Sequence, residues 1–139
     1  MRSYKIEQFH MGRLARGEDL LHGLVQRVHA AKILSGYIWA VGTLDCSAFR
    51  SPGSKPQVTL DGPLEIVTCT GNVSQKNSRS VLHLHMGVAD RKGRVHGGHV
   101  VPGNRVVVLE FCVAEFSGPP LVRERDNELG LDLWTADEL

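Results

Sequence analysis

The chain has 139 residues, 42% of them hydrophobic and only 6% aromatic, with a formal net charge of +1. That is the length and apolar content of one folded domain with an aliphatic core, which excludes collagen-like and disordered classes. The charge is uneven: residues 1–109 carry 14 Lys and Arg against 7 Asp and Glu, and residues 110–139 carry 2 against 8. The basic residues form no run, so a strong non-specific nucleic-acid binder is disfavoured.

In chain order, residues 3–10 (SYKIEQFH) alternate and predict a first strand. Gly17-Glu18-Asp19 then opens a helix, whose first-turn carboxylates favour the positive end of its dipole. Leu20, Leu21, Leu24, Val25, Val28 and Ala31 make its apolar stripe, and Gly36 is the expected stop. Gly23, mid-helix, points to a close approach to a sheet. Residues 37–50 read as a long strand bent at Gly42, and residues 51–56 as a loop. Val58 to Leu60 is a short strand, Asp61-Gly62-Pro63 a turn, and Leu64 to Thr70 a strand ended by Gly71-Asn72. Residues 73–79 form a polar hairpin loop before a strand from Val81 to Ala89. A turn at residues 90–93, with Gly93 at positive φ, leads to a short strand at His99 to Val101. Pro102-Gly103-Asn104 is a turn, and Arg105 to Phe116 a long β-branched strand.

The expectation is an α+β fold: one main helix and about seven strands in a mainly antiparallel sheet, residues 1–139 forming a single domain. One helix covers only part of one sheet face, and self-association is the simplest cover for the rest. No segment approaches the roughly 20 apolar residues of a membrane span, and the first residues lack a signal-like apolar core. Cys46, Cys69 and Cys112 are widely spaced and odd in number, as for packing thiols in a reducing cytoplasm.

Seven histidines are present, four of them within residues 83–99. In Leu82-His83-Leu84-His85-Met86, strand alternation turns the apolar residues to one face and both imidazoles to the other. Gly97-Gly98 lets the following strand approach closely and aims His99 back at the pair. Three neutral imidazoles suit zinc or another late first-row ion and leave a coordination position open. The competing reading is a set of solvent-facing sheet histidines. His96 falls in the turn, His10 is isolated, and His22 and His29 read as helix-surface residues. Glu65, expected on the same side as Val67 and Cys69, could orient a metal-bound histidine or act as acid/base on a metal-bound water; it also reads as an edge residue or one half of an ion pair. No nucleophile constellation or phosphate-binding glycine loop is present.

The segments RGEDLLHGL (16–24), GPLEIVTCTGNVS (62–74), LHLHMGVADRKGRVHGGHV (82–100) and RERDNELGLDLW (123–134) resemble the plant and prokaryote conserved (PPC) domain family. The resemblance implies a single α+β domain that assembles as a homotrimer. It implies a metal, usually zinc, on His83, His85 and His99, with Glu65 beside the site. It also implies a cytoplasmic protein with a regulatory or ligand-sensing role toward a small molecule. The second reading is a metal-dependent enzyme, of hydrolase or lyase type, with Glu65 as acid/base. The family is commonly labelled DNA-binding, but the Arg-Gly-Arg-Pro AT-hook that serves this in plant members does not occur in the sequence.

Overall fold

In a computed structural model, which describes residues 2–51 and 56–135, the elements run β1 (Ile6–Leu14), α1 (Leu20–Ala30), β2 (Gly36–Arg50), β3 (Val58–Lys76), β4 (Arg79–Ala89), β5 (Val95–Val100), β6 (Arg105–Phe116), β7 (Arg123–Asp126) and β8 (Leu131–Trp134). The first six strands form one antiparallel sheet in the order β1-β6-β2-β3-β4-β5. The far end of β2 also pairs with β5, Phe49 opposite Val100 and Arg50 opposite His99. The sheet therefore curls until β2, β3, β4 and β5 close on one another. β7 and β8 form a separate hairpin, held to β3 by a hydrogen bond from the Gln75 amide to the Leu121 carbonyl.

Helix α1 begins where the carboxylate of Asp19 accepts the His22 amide. The other Asp19 oxygen accepts the amides of Gly103 and Asn104, which pins the helix start to the turn before β6. Leu20, Leu24 and Val28 of the helix are fully buried against Leu14, Ile38, Leu44, Leu84, Val106 and Leu109, each worth about 1.5–3 kcal/mol of burial. A Cβ at Gly23 would stand 2.9 Å from Leu14, so the mid-helix glycine marks the expected close approach.

Asn104 is completely buried in a turn. Its Oδ1 accepts from the Ser47 hydroxyl and the Ala48 amide, and its Nδ2 donates to the carbonyls of Ala48 and Val101. Asn104→Ala takes the side-chain partner from the Ala48 amide, the Ser47 hydroxyl and the Val101 carbonyl, and leaves the Ala48 carbonyl only the Val101 amide at 3.5 Å, at an expected cost of about 3 kcal/mol or more. A denaturant titration should show a lower midpoint at unchanged slope; an unmoved midpoint would show that the network carries no net stability.

Four expectations are corrected. Residues 61–63 do not turn: β3 runs unbroken from Val58 to Lys76, and Gly62 lies so close to β2 that a Cβ there would meet the Leu44 carbonyl oxygen at 2.5 Å. The hairpin loop between β3 and β4 shrinks from residues 73–79 to Asn77-Ser78, both at positive φ, as a type I′ two-residue hairpin turn requires. The helix ends at Ala30 with Ala31 as its C-cap and Lys32 at φ 58°, while Gly36 already belongs to β2. The strand expected at residues 99–101 begins earlier, at Val95. Most of the predicted loop at 51–56 lies outside the described residues, as do residues 136–139 of the acidic tail.

With α1 filling the concave side, the convex side carries Phe9, Met11, Tyr37, Val41, Val67, Val95 and Val108, all exposed. Among the described residues no helix is long and apolar enough to cross a membrane.

Candidate metal centre

Register brings the histidines together. His85 on β4 faces His99 on β5 directly, and His83 stands two residues along β4 on the same, convex side. Ring centroids are 5.0 Å apart for His83 and His85, 5.1 Å for His83 and His99, and 5.7 Å for His85 and His99. One nitrogen from each lies within 4.8 Å of the other two. Small side-chain rotations bring three such atoms to the roughly 2.1 Å of a zinc–imidazole bond.

The glycines before His99 set its position. A Cβ at Gly97 would lie 2.1 Å from the Met86 carbonyl oxygen on β4, and one at Gly98 would lie 2.3 Å from the Arg50 carbonyl oxygen on β2. Both neighbouring backbones thus press on β5 where it has no side chains. The strand is held between them, and His99 is presented next to His85.

The donor set is all imidazole. Cys69 is buried on the opposite side of β3, and burial pushes its thiol up to about 12, so it is a packing residue and no thiolate ligand. His96, expected in the turn, lies instead within β5 opposite Val88, with its ring 3.3 Å from the Asp90 carboxylate. His10 pairs with Glu115 at 2.8 Å. His22 lies on the helix near Asp19, and His29 lies in its last turn; both are exposed.

Glu65 is not brought to the cluster. It pairs with Ala89, four residues beyond His85 on β4, or about 13 Å along the strand. Its carboxylate accepts the Thr43 hydroxyl at 2.9 Å. A register irregularity between Ile66 and Thr68 breaks the alternation, so Glu65 and Val67 are exposed while Cys69 is buried. The expectation that Glu65 shares a side with Cys69 fails for that reason.

Two arginines flank the imidazoles. Arg50 stands opposite His99 across the β2–β5 pair. Arg123, on β7, reaches the convex side, where its guanidinium donates to the Ser74 hydroxyl, Asn72 Oδ1 and the Asp132 carbonyl, and lies over the Trp134 ring. Asn72 is the cross-strand partner of His83. Neither arginine was singled out from the sequence. The signal for Arg123 was the alternation of residues 131–134 after a Gly130 turn, which marks the hairpin that carries it.

Burial holds the His83 imidazole below the ordinary histidine range, and the positive charge of Arg123 adds to this. For His99 the causes are burial, then His85 and Arg50. Both rings are therefore neutral at neutral pH, the form that binds metal. The unfolded chain takes up protons at these positions near pH 6.5, before the folded protein does. The stability of the metal-free protein should therefore fall as pH drops through about 6.5 toward the lowered folded values. Thermal melts in chelator across that window should show this, and a His83→Ala/His99→Ala double variant should show a shallower fall. An equal fall in both would place the titration elsewhere.

A family model described as the Plants and Prokaryotes Conserved (PCC) domain matches residues 1–117. The crystal structure of a metal-containing protein from Archaeoglobus fulgidus is 29% identical, with a TM-score of 0.81 over 97% of this chain and 99% of that one. A plant- and prokaryote-conserved protein from Pyrococcus horikoshii is 27% identical, with a TM-score of 0.86 over 97% and 96%. A presumptive DNA-binding protein from Bacteroides thetaiotaomicron is 26% identical, with a TM-score of 0.86 over 97% of each chain. A curated relative, the bifunctional protein GlmU of Synechococcus sp. (strain JA-2-3B'a(2-13)), is 32% identical over 120 residues. That match spans 85% of this chain but only 18% of GlmU.

Proposed function

The chain belongs to the Plants and Prokaryotes Conserved domain family, and from that premise we propose that it is a metal-binding homotrimer in which His83, His85 and His99 hold zinc or another late first-row ion. The observation that carries this is the convergence of three imidazole nitrogens within 4.8 Å on one face of the sheet. Calcium and magnesium want oxygen ligands, and among the described residues no carboxylate joins the group. Imidazole donors without thiolate or carboxylate suit zinc. The metal of the Archaeoglobus protein supports the same reading.

A metal bound by three neutral side chains keeps a position for a small molecule, and a regulatory or ligand-sensing role uses that position without turnover. The enzyme alternative, with Glu65 handling a proton, gains no support from a carboxylate bound to Thr43 several rungs away. The DNA-binding description of the Bacteroides protein finds no AT-hook in this chain to carry it. The homotrimer reading draws on the apolar residues of the convex face, which one chain leaves uncovered. Metal analysis of gently purified protein tests the central claim. About one ion per chain is expected, and none after reloading with zinc or cobalt would overturn it.

A further inference from the structure

A cation site is a poor place for cations, yet two guanidinium groups border this one. Arg50 faces His99. Arg123 is fixed beside His83 through Asn72, at 2.8 Å, and is further held by Ser74 at 2.7 Å and by the Asp132 carbonyl at 2.8 Å. Among the described residues, three of its five N–H donors are used, one on each nitrogen, which leaves two. The Asp132 carboxylate attracts the guanidinium but is shared, with one oxygen on Lys76 at 2.6 Å and the other 3.9 Å from Arg125. A divalent ion on three neutral imidazoles, with these arginines beside it, concentrates positive charge that the single Asp132 carboxylate, shared with Lys76, offsets only in part.

The geometry points to a small oxyanion, a carboxylate or a phosphate, as the ligand of this site, with one oxygen on the metal's open position and another on the Arg123 guanidinium. This rests on the metal reading above. A charge-assisted hydrogen bond from the guanidinium holds that second oxygen in either group. Arg50 is exposed and adds attraction that salt screens. The arginines oppose the metal but favour the anion, so metal and anion must tighten each other, each by the same factor.

The test uses cobalt-loaded protein, whose visible absorption reports the metal's ligands, titrated with acetate in one arm and inorganic phosphate in the other. A saturable spectral change is expected, together with tighter cobalt binding when the anion is present. Arg123→Gln should weaken the anion about tenfold or more, while cobalt affinity without anion stays equal or rises. A residue that only anchors the β7–β8 hairpin would not produce that opposition of signs. Arg50→Gln, at an exposed side chain, should weaken the anion a few-fold at low salt only. A response to acetate assigns a carboxylate ligand, and a response to phosphate alone assigns a phosphate. Cobalt binding with no response to either anion, or equal anion affinity in wild type and both variants, overturns the proposal and leaves the metal reading intact. Failure of cobalt to bind overturns both.

Discussion

His99→Ala is expected to abolish stoichiometric metal binding while leaving the fold in place. Without it the ion is held by His83 and His85 alone, two imidazoles on one strand that approach from one side. Losing a group that merely orients a ligand costs about ten- to a hundredfold in affinity; losing the ligand itself should cost at least the upper end. The side chain lies on the convex side of the sheet and outside the buried core, so the metal-free melting temperature should barely change. His83→Ala should behave alike. His96→Ala, three residues away but engaged with Asp90, should bind metal as the wild type does. If His96→Ala lost the ion and His99→Ala kept it, the assignment of ligands would be wrong.

Val41→Lys is expected to turn the proposed homotrimer into single chains. Val41 is 56% exposed in one chain, at the middle of a convex face that also presents Met11 at 78% and Val67 at 53%. Isolated apolar residues on a surface are ordinary, but a contiguous set on one sheet face is the usual mark of an interface. Glu110 lies directly opposite Val41 on β6, so a lysine in the isolated chain gains a partner and should shift its stability by no more than about 0.5 kcal/mol. Buried between subunits, the same ammonium would cost several kcal/mol at each copy of the interface. Light scattering should give near three times the 15.3 kDa chain mass for the wild type and near one for the variant. A wild type that is monomeric at micromolar concentration would remove the trimer, and an unaltered variant would move the interface to another face.

The legible parts of the sequence were those where a short-range pattern decides the structure. Alternation in residues 82–88 placed Leu82, Leu84, Met86 and Val88 inside and both histidines outside, and the β-branched run from Arg105 to Phe116 gave β6 its bounds. The glycines ahead of His99 announced a close approach. What escaped depends on pairing between distant segments. Gly62-Pro63 carries every local mark of a turn, yet β2 alongside keeps the strand going. The family resemblance puts Glu65 beside the histidines, but its separation from them is set by the register between β3 and β4, which pairs it with Ala89. Arg50 and Arg123 lie 33 and 24 residues or more from the nearest of the three histidines in the chain, and only the curling of the sheet and the folding back of the hairpin bring them to the same place.

The glycine pair of β5 divides the molecule by its tolerance of change. His99 is located by main-chain atoms of Met86 on one flank and Arg50 on the other, which any amino acid at those positions supplies equally. Drift in the identity of interior side chains can therefore accumulate around the site without displacing it. A single added methyl at position 97 or 98 would push the strand off its neighbours and carry the imidazole away with it. Two positions without side chains thus guard this chemistry more strictly than the bulky residues packed beneath it.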